Sequence, residues 1–324
     1  MADLGSKAEA HGAPDLSAAT RPGQFTWAEW KQILKRSWKA VGSDNLSLVA
    51  AGVAFYAMLA LFPGIAALVT LYGFVSDPSV IQEHLTTMDD VLPPSAYEII
   101  ERQVSKIASS GRTTLGVATL ISLAVALWSS RAGVGAMISG LNIVYDEEDK
   151  RGFFKSLLVA LVLTAVMLFV GLLAVAVVIL APILLNLLPL GPVGTWITAV
   201  LRWPVIVVAV ILGIGALYRW APSRTGARVG WLSWGAAFAT VVWLAASMGF
   251  SFYVANFGSY NETYGSLSAV VVLLMWFYIS AFIVLFGAEL NAQMEHQTRH
   301  DTTAGPVKPM GDRGAHVADT LPKR

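Results

Sequence analysis

The sequence predicts an all-helical protein that crosses a membrane six times, and three observations predict it. Only 13% of its 324 residues are charged and 56% are hydrophobic, whereas soluble domains carry roughly a quarter charged residues. Six intervals (45–76, 113–130, 156–201, 203–218, 229–261 and 263–288) contain no Asp, Glu, Lys or Arg and cover over half the chain. Lys and Arg gather instead in alternate connections between these intervals. A water-soluble surface cannot stay uncharged over runs this long, so the composition excludes a soluble enzyme and a soluble nucleic-acid-binding domain. The absence of cysteine excludes disulfides, thiolate metal sites and a cysteine nucleophile. A net charge of +1 provides no global attraction for nucleic acid.

Residues 1–24 scatter charges among Ala, Gly, Ser and Pro and read as a disordered tail. From Phe25 to Val41, Trp27, Trp30, Leu34, Trp38 and Val41 recur at spacings of three and four, with Lys31, Lys35 and Lys39 on another face. That pattern predicts an amphipathic helix lying on the membrane surface. A span needs about 20 apolar residues. Leu46–Phe74 supplies the first, with a kink expected at Pro63-Gly64, and Thr114–Ser130 the second. The connection 75–112 carries apolar residues at helical spacing and predicts two short amphipathic helices outside the membrane. The longest charge-free interval must divide: Ser156–Ala181 is the third span, 186–196 a Pro/Gly turn, and Thr198–Tyr218 the fourth, interrupted by Arg202 and Pro204. Val229–Ala255 and Ser266–Phe286 are the fifth and sixth. The membrane domain is therefore 25–295, and 296–324 reads as a second disordered tail.

Orientation follows from the bases. Lys31, Lys35, Arg36 and Lys39 precede the first span; Arg131, Lys150, Arg151 and Lys155 lie between the second and third; Arg219, Arg224 and Arg228 lie between the fourth and fifth. The other connections are acidic or nearly uncharged. This alternation predicts both termini in the cytoplasm.

Several segments carry a family likeness. They are Ser43-Asp44-Asn45-Leu46, Ala50 to Tyr56, Leu61-Phe62-Pro63, Leu127-Trp128-Ser129, Leu141 to Tyr145, Phe257 to Ser266 with Tyr260, Tyr264 and Gly265, Met275 to Ser280, and Gly287 to Ala292. In this order they resemble the YihY/BrkB family of bacterial inner-membrane proteins, over roughly Gln24 to Met294. The resemblance implies a multi-pass protein of the bacterial inner (plasma) membrane. It supplies no catalytic residues; the "ribonuclease BN" label carried by many members is regarded as a misassignment.

Charged and polar residues at membrane depth are functional candidates because burying them in hydrocarbon is costly. Glu289 is expected to pair with Arg131, with Asn142 and Asn291 hydrogen-bonding nearby; the alternative is that both charges reach water at span ends. Tyr260 and Tyr264 belong to an aromatic rim that either grips a lipid-like solute or forms a headgroup-level belt. Asn45, Tyr56 and Pro63 either line a cavity or pack helices. His296 and His300, four apart beside Glu295, are a weak metal arrangement, and no metal or other cofactor is expected. A shift of 149 residues superposes Gly116 on Gly265 and Leu141-Asn142 on Leu290-Asn291, without inverted symmetry.

The function expected is movement or handling of a lipid or other envelope-related amphiphile, with the bilayer as partner and no nucleic acid. The rivals are a scaffold for envelope proteins and a membrane-bound ribonuclease or hydrolase.

Overall fold

The computed structural model describes residues 16–75, 112–186, 191–256 and 268–322, and for some helical stretches only the backbone path. The aromatic rim with Tyr260, Tyr264 and Gly265, the connection between the first two expected spans, and residues 1–15 lie outside the described residues.

Thr26 opens the first helix, α1 (Trp27–Ser43), with a capping box: the Glu29 N–H donates to Thr26 Oγ1, and the Thr26 N–H donates to the Glu29 carboxylate. Each satisfies a donor that the helix start would otherwise leave bare. Its apolar residues divide between two faces. Ile33, Ser37 and Ala40 are buried, and Trp30 turns inward beside Phe25 and Trp234. Trp27 and Trp38 stay 70% and 71% exposed. Asn45 takes a positive φ of 51°, a conformation Asn tolerates better than most residues. The chain turns there by 65° into α2 (Leu46–Val75). The sharp bend is thus at Asn45, and the α-helix continues past Pro63.

The other long helices are α3 (Arg112–Val144), α4 (Phe153–Asn186), α5 (Gly191–Trp220), α6 (Val229–Asn256) and α7 (Ser268–Gln297). Several boundaries differ from expectation, among them the end of α7, which lies eleven residues past Phe286 at Gln297, and both ends of α4. α3 runs on past Ser130 to Val144, because Arg131 is followed by small and apolar residues that pack against α2 and α7. Part of the expected turn at 186–196 is helical, since α5 begins at Gly191 and Pro192 fits its first turn, where no intrahelical N–H is needed; residues 187–190 lie outside the described residues.

By length and apolar composition the described residues hold three helices able to cross a membrane, in α4, α6 and α7, or four if the bent α1–α2 pair counts as one. α7 is the central post, touching α1, α2, α3 and α6. The helices approach through small residues: Ala50 and Ala54 of α2, Ala236 and Ala239 of α6, and Ala281, Ala288 and Ala292 of α7 are all buried. Such residues let backbones come close where lipid offers no hydrophobic drive. Gly235 and Gly287 mark the closest approach of α6 and α7: a Cβ at Gly235 would meet the Gly287 carbonyl, and one at Gly287 would stand 2.6 Å from the Tyr218 hydroxyl and 2.8 Å from Ala239 Cβ. Outward, Leu158, Val162, Phe169, Leu212, Val241 and Phe252 lie exposed, a surface suited to acyl chains and too apolar for water.

The C-terminal segment corrects the expectation of a disordered tail. Residues 296–322 fold across the end of the helices and finish in a single turn, α8 (His316–Asp319). Ser17 bridges to Thr298, and Ala227 to Thr303. Arg313, buried, donates to the carbonyls of Arg299, His300, Lys308 and Ala318. Asp319 accepts the N–H groups of Gly311, Arg313 and Gly314. Backbone–side-chain bonds of this kind order a segment with no apolar period, which is why composition suggested disorder.

Two measurements check this packing. Gly235→Ala, whose Cβ would collide with the Gly287 carbonyl and the Asn291 carboxamide, should cost about 1–3 kcal/mol of stability in detergent. Gly230→Ala, with nothing within 4 Å, should leave the unfolding temperature unchanged or slightly higher. Burial raises the Asp301 and Asp319 carboxyls, but the donors gathered on each outweigh it and hold both below the usual value. A depressed folded pKa contributes stability that is fully present above the unfolded value of about 3.9 and lost as pH falls through the folded one. The protection of amides 299–320, measured relative to the intrinsic exchange rate, should therefore fall on acidification across that window, and Asp319→Asn should flatten the response.

Candidate functional site

Polar chemistry collects at the end of the bundle where α3, α5 and α7 finish and α1, α4 and α6 begin. Its organising element is the connection from Ala221 to Arg228 between α5 and α6, held from several sides. Arg151 Nη2 donates to the Ala221 carbonyl at 2.7 Å. The Ser223 N–H donates to Asn142 Oδ1 at 2.8 Å. The Thr225 N–H donates to the Gly314 carbonyl, and the Arg228 N–H to that of Thr302.

Arg224 is the centre of this connection. Its guanidinium meets Glu295, near the end of α7, through two hydrogen bonds of 2.8 and 3.0 Å. The two side chains are 1% and 0% exposed. The guanidinium also lies 3.8 Å from the Tyr145 ring centroid, and Thr302 Oγ1 donates to Glu295 at 2.8 Å. Burial pulls the Arg224 pKa down, yet the adjoining Glu295 charge prevails and holds it above its ordinary value. Burial likewise pushes the Tyr145 phenol well up. The contacts fix the two side chains against each other.

The residues expected from sequence fall into place unevenly. Asn142 and Asn291 are structural anchors: Asn291 accepts from the Gly235 N–H at 2.9 Å and donates to the Leu232 carbonyl at 3.2 Å. The two members of the repeated Leu-Asn pair thus do the same work, each taking a backbone N–H from the α5–α6 region. The expected Glu289–Arg131 pair does not form. Glu289 is buried and accepts from Gln293 Nε2 at 2.8 Å, whereas Arg131 sits over the Trp128 ring, 4.9 Å from its centroid. Arg131 lies 13 residues before the end of α3 and Glu289 eight before the end of α7, so at 1.5 Å per residue their levels differ by roughly a helical turn and a half. Tyr56 is exposed on the bundle surface beside Phe55. Asn45 forms the α1–α2 corner, and Pro63 lies in α2 where side chains are not described. α7 ends at Gln297, which takes His300 off the helix face it would share with His296; the His296 ring stands 3.2 Å from Thr320 Oγ1.

Two hollows matter beside this centre. One, of about 440 Å³, is lined by Arg36, Lys39, Asp44, Asp146, Glu289 and His296. The larger, an open cleft of about 1020 Å³, is lined among others by Lys150, Arg151, Lys155, Arg219, Trp220 and His316. Its Val159 and Trp220 also border an apolar groove of about 430 Å³ on α4, completed by Leu158, Val162, Leu163 and Val166. A further apolar hollow lies between α4 and α5 around Met167, Val170, Gly213 and Leu217. The charged cleft and the apolar α4 groove are therefore neighbours that share Val159 and Trp220 as wall residues. The sequence offered a signal for part of this: Glu295 is an acid at the end of an apolar run and needs a cation. The cleft itself is assembled from segments about 70 residues apart.

Among the described residues these features define a helical membrane protein whose polar groups gather at one end. The chain belongs to the BrkB family: the family model described as Virulence factor BrkB matches residues 37–310. It is 30% identical over 260 residues to a ribonuclease-like protein, YfkH, of Bacillus subtilis, covering 77% of this chain and 90% of that one. It is 26% identical over 284 residues to a UPF0761 membrane protein of Pseudoalteromonas translucida, covering 84% and 88% of the two chains. A UPF0761 membrane protein of Tolumonas auensis is 24% identical over 296 residues, covering 86% and 93%. No solved structure matches the chain.

Glu295→Gln strands the Arg224 charge in the interior and should cost about 3–5 kcal/mol of stability. Arg224→Lys, which loses the two-pronged geometry and the flat contact with Tyr145, should also destabilise. Thermal unfolding of the detergent-purified protein reads both.

Proposed function

We propose that this membrane protein moves or handles a lipid or other envelope-related amphiphile, in a bacterial inner membrane that it crosses six times with both termini in the cytoplasm. The observation that carries the reading is the adjacency of the charged cleft and the apolar α4 groove, which share Val159 and Trp220 as wall residues. An amphiphile has one polar and one apolar end, and this site offers a matching surface for each. The alternation of Lys and Arg along the chain supports the orientation. On it, the cleft faces the cytoplasm at headgroup depth, with Trp220, Phe153 and Phe154 exposed as interfacial anchors. The ribonuclease-like name belongs to the Bacillus relative and forms no part of the proposal.

The orientation can be read cleanly because the chain has no native cysteine. Lys35→Cys, Lys150→Cys and Lys308→Cys should react with an impermeant maleimide only after cells are opened, and Glu262→Cys in intact spheroplasts. For function, purified protein in liposomes should speed transbilayer movement of a labelled lipid, and Val162→Trp, which fills the groove, should slow it several-fold relative to Val241→Trp on the far lipid-facing surface. No acceleration, or equal loss in both variants, contradicts the reading. RNA turnover abolished by a point substitution would restore the nuclease, and co-purifying proteins lost on deleting 77–110 would favour a scaffold.

A further inference from the structure

The chemistry of the polar half of this site is more specific than "charged". Acids and bases both line the cleft: Asp146 stands 3.8 Å from the His316 ring and Glu148 is exposed, while the other two acids are engaged by backbone groups. Asp319 is filled by three backbone N–H groups, and the Glu147 carboxylate accepts the His316 N–H at 2.7 Å. On the basic side, Arg151 is nine-tenths buried at 10% exposure, yet its Nη1 has no hydrogen-bond acceptor. Its Nη2 is spent on the Ala221 carbonyl, and its Nε stands 3.6 Å from Asp149. Lys150 and Lys155 are exposed and, among the described residues, have no ion-pair partner. Arg219 spends Nη1 on the Ala227 carbonyl at 3.4 Å and lines the same cleft. The start of α4, whose dipole is positive at that end, stands beside Arg151 and Lys155.

A buried guanidinium nitrogen without an acceptor is costly. An anion entering the cleft supplies the acceptor after a small side-chain rotation. A carboxylate offers two oxygens in one plane and is satisfied by a single arginine. Arg151, Lys155 and Arg219 line one cleft, and donors on three side chains suit an anion with oxygens in three directions and more than one charge.

We propose that the amphiphile carries a phosphate-bearing headgroup, received by Arg151, Lys155 and Arg219 while its acyl chain lies along Leu158, Val162 and Val166. This rests on the amphiphile reading above and specifies its polar end. Trp220, at the junction of cleft and groove, sits at the level of the glycerol or equivalent linker.

Binding of dioctanoyl phosphatidic acid and of dioctanoylglycerol to the full-length, detergent-purified protein tests it, since the two differ only in the phosphate. Phosphatidic acid should bind about tenfold tighter or more, the size of one or two charge-assisted hydrogen bonds. Arg151→Gln should remove most of that preference and Arg151→Lys restore part of it. Lys155→Gln, at an exposed position that folding does not need, should reduce the preference and its salt dependence even if Arg151→Gln fails to fold. Equal binding of the two lipids overturns the phosphate assignment and leaves the groove reading standing. Binding of neither overturns both. Inorganic phosphate that binds as tightly as phosphatidic acid and displaces it makes this a free-phosphate site and overturns the lipid headgroup.

Discussion

The buried pair of Arg224 and Glu295 is the interaction on which the polar end of this protein depends. Taking both charges out of water costs several kcal/mol per ion before any attraction is counted. Two short hydrogen bonds, the Tyr145 ring and the Thr302 hydroxyl offset that cost. Because its members come from the α5–α6 connection and the end of α7, the pair fixes the connection against the central post of the bundle. The C-terminal segment then has a firm floor to fold onto: Ala304 donates to the Gly226 carbonyl, and Thr225 to that of Gly314. The same connection carries Arg219 and Trp220 at its entrance. The geometry of the cleft is thus inherited from the pair, although neither partner needs to touch a ligand.

The apolar half of the molecule obeys a different rule. Inside a bilayer, backbone groups must be satisfied within the helices, and contacts between helices come from close fit. Gly287, Gly235 and the buried alanines of α2, α6 and α7 supply that fit around α7. Between α4 and α5 there is room at one point: a Cβ at Gly213 would stand 3.7 Å, an ordinary contact distance, from the Met167 sulfur, beside an apolar hollow. That hollow is separate from the α4 groove beside the charged cleft, with which it shares no lining residue.

Most of the helices were legible in the sequence because their signal is local. Charge-free runs of span length are visible without any partner, and α4, α6 and α7 appear where such runs lie. Contacts between distant segments were not legible. Glu289 and Arg131 looked like partners because each is a lone charge by a span, yet the extension of α3 past Arg131 sets them at different depths. Arg224 actually pairs with Glu295, 71 residues away, and Arg224 had been counted only as a topological charge. The ordered C-terminal segment escaped because Arg313, Asp301 and Asp319 hold it through backbone groups, which leave no hydrophobic period. Asn142 and Asn291 were found, though as neighbours of a charge pair; the structure shows them as clamps on backbone N–H groups.

The account's central claim is that one amphiphile occupies cleft and groove together. Photocrosslinking in proteoliposomes tests this most directly, using a lipid with a photoreactive group midway along its acyl chain and peptide mapping of the adducts. The account predicts adducts concentrated on α4 between Leu158 and Val166, and their loss when Val162→Trp fills the groove. Adducts spread evenly over the lipid-facing surfaces of α4, α5 and α6, unchanged by that substitution, would contradict it.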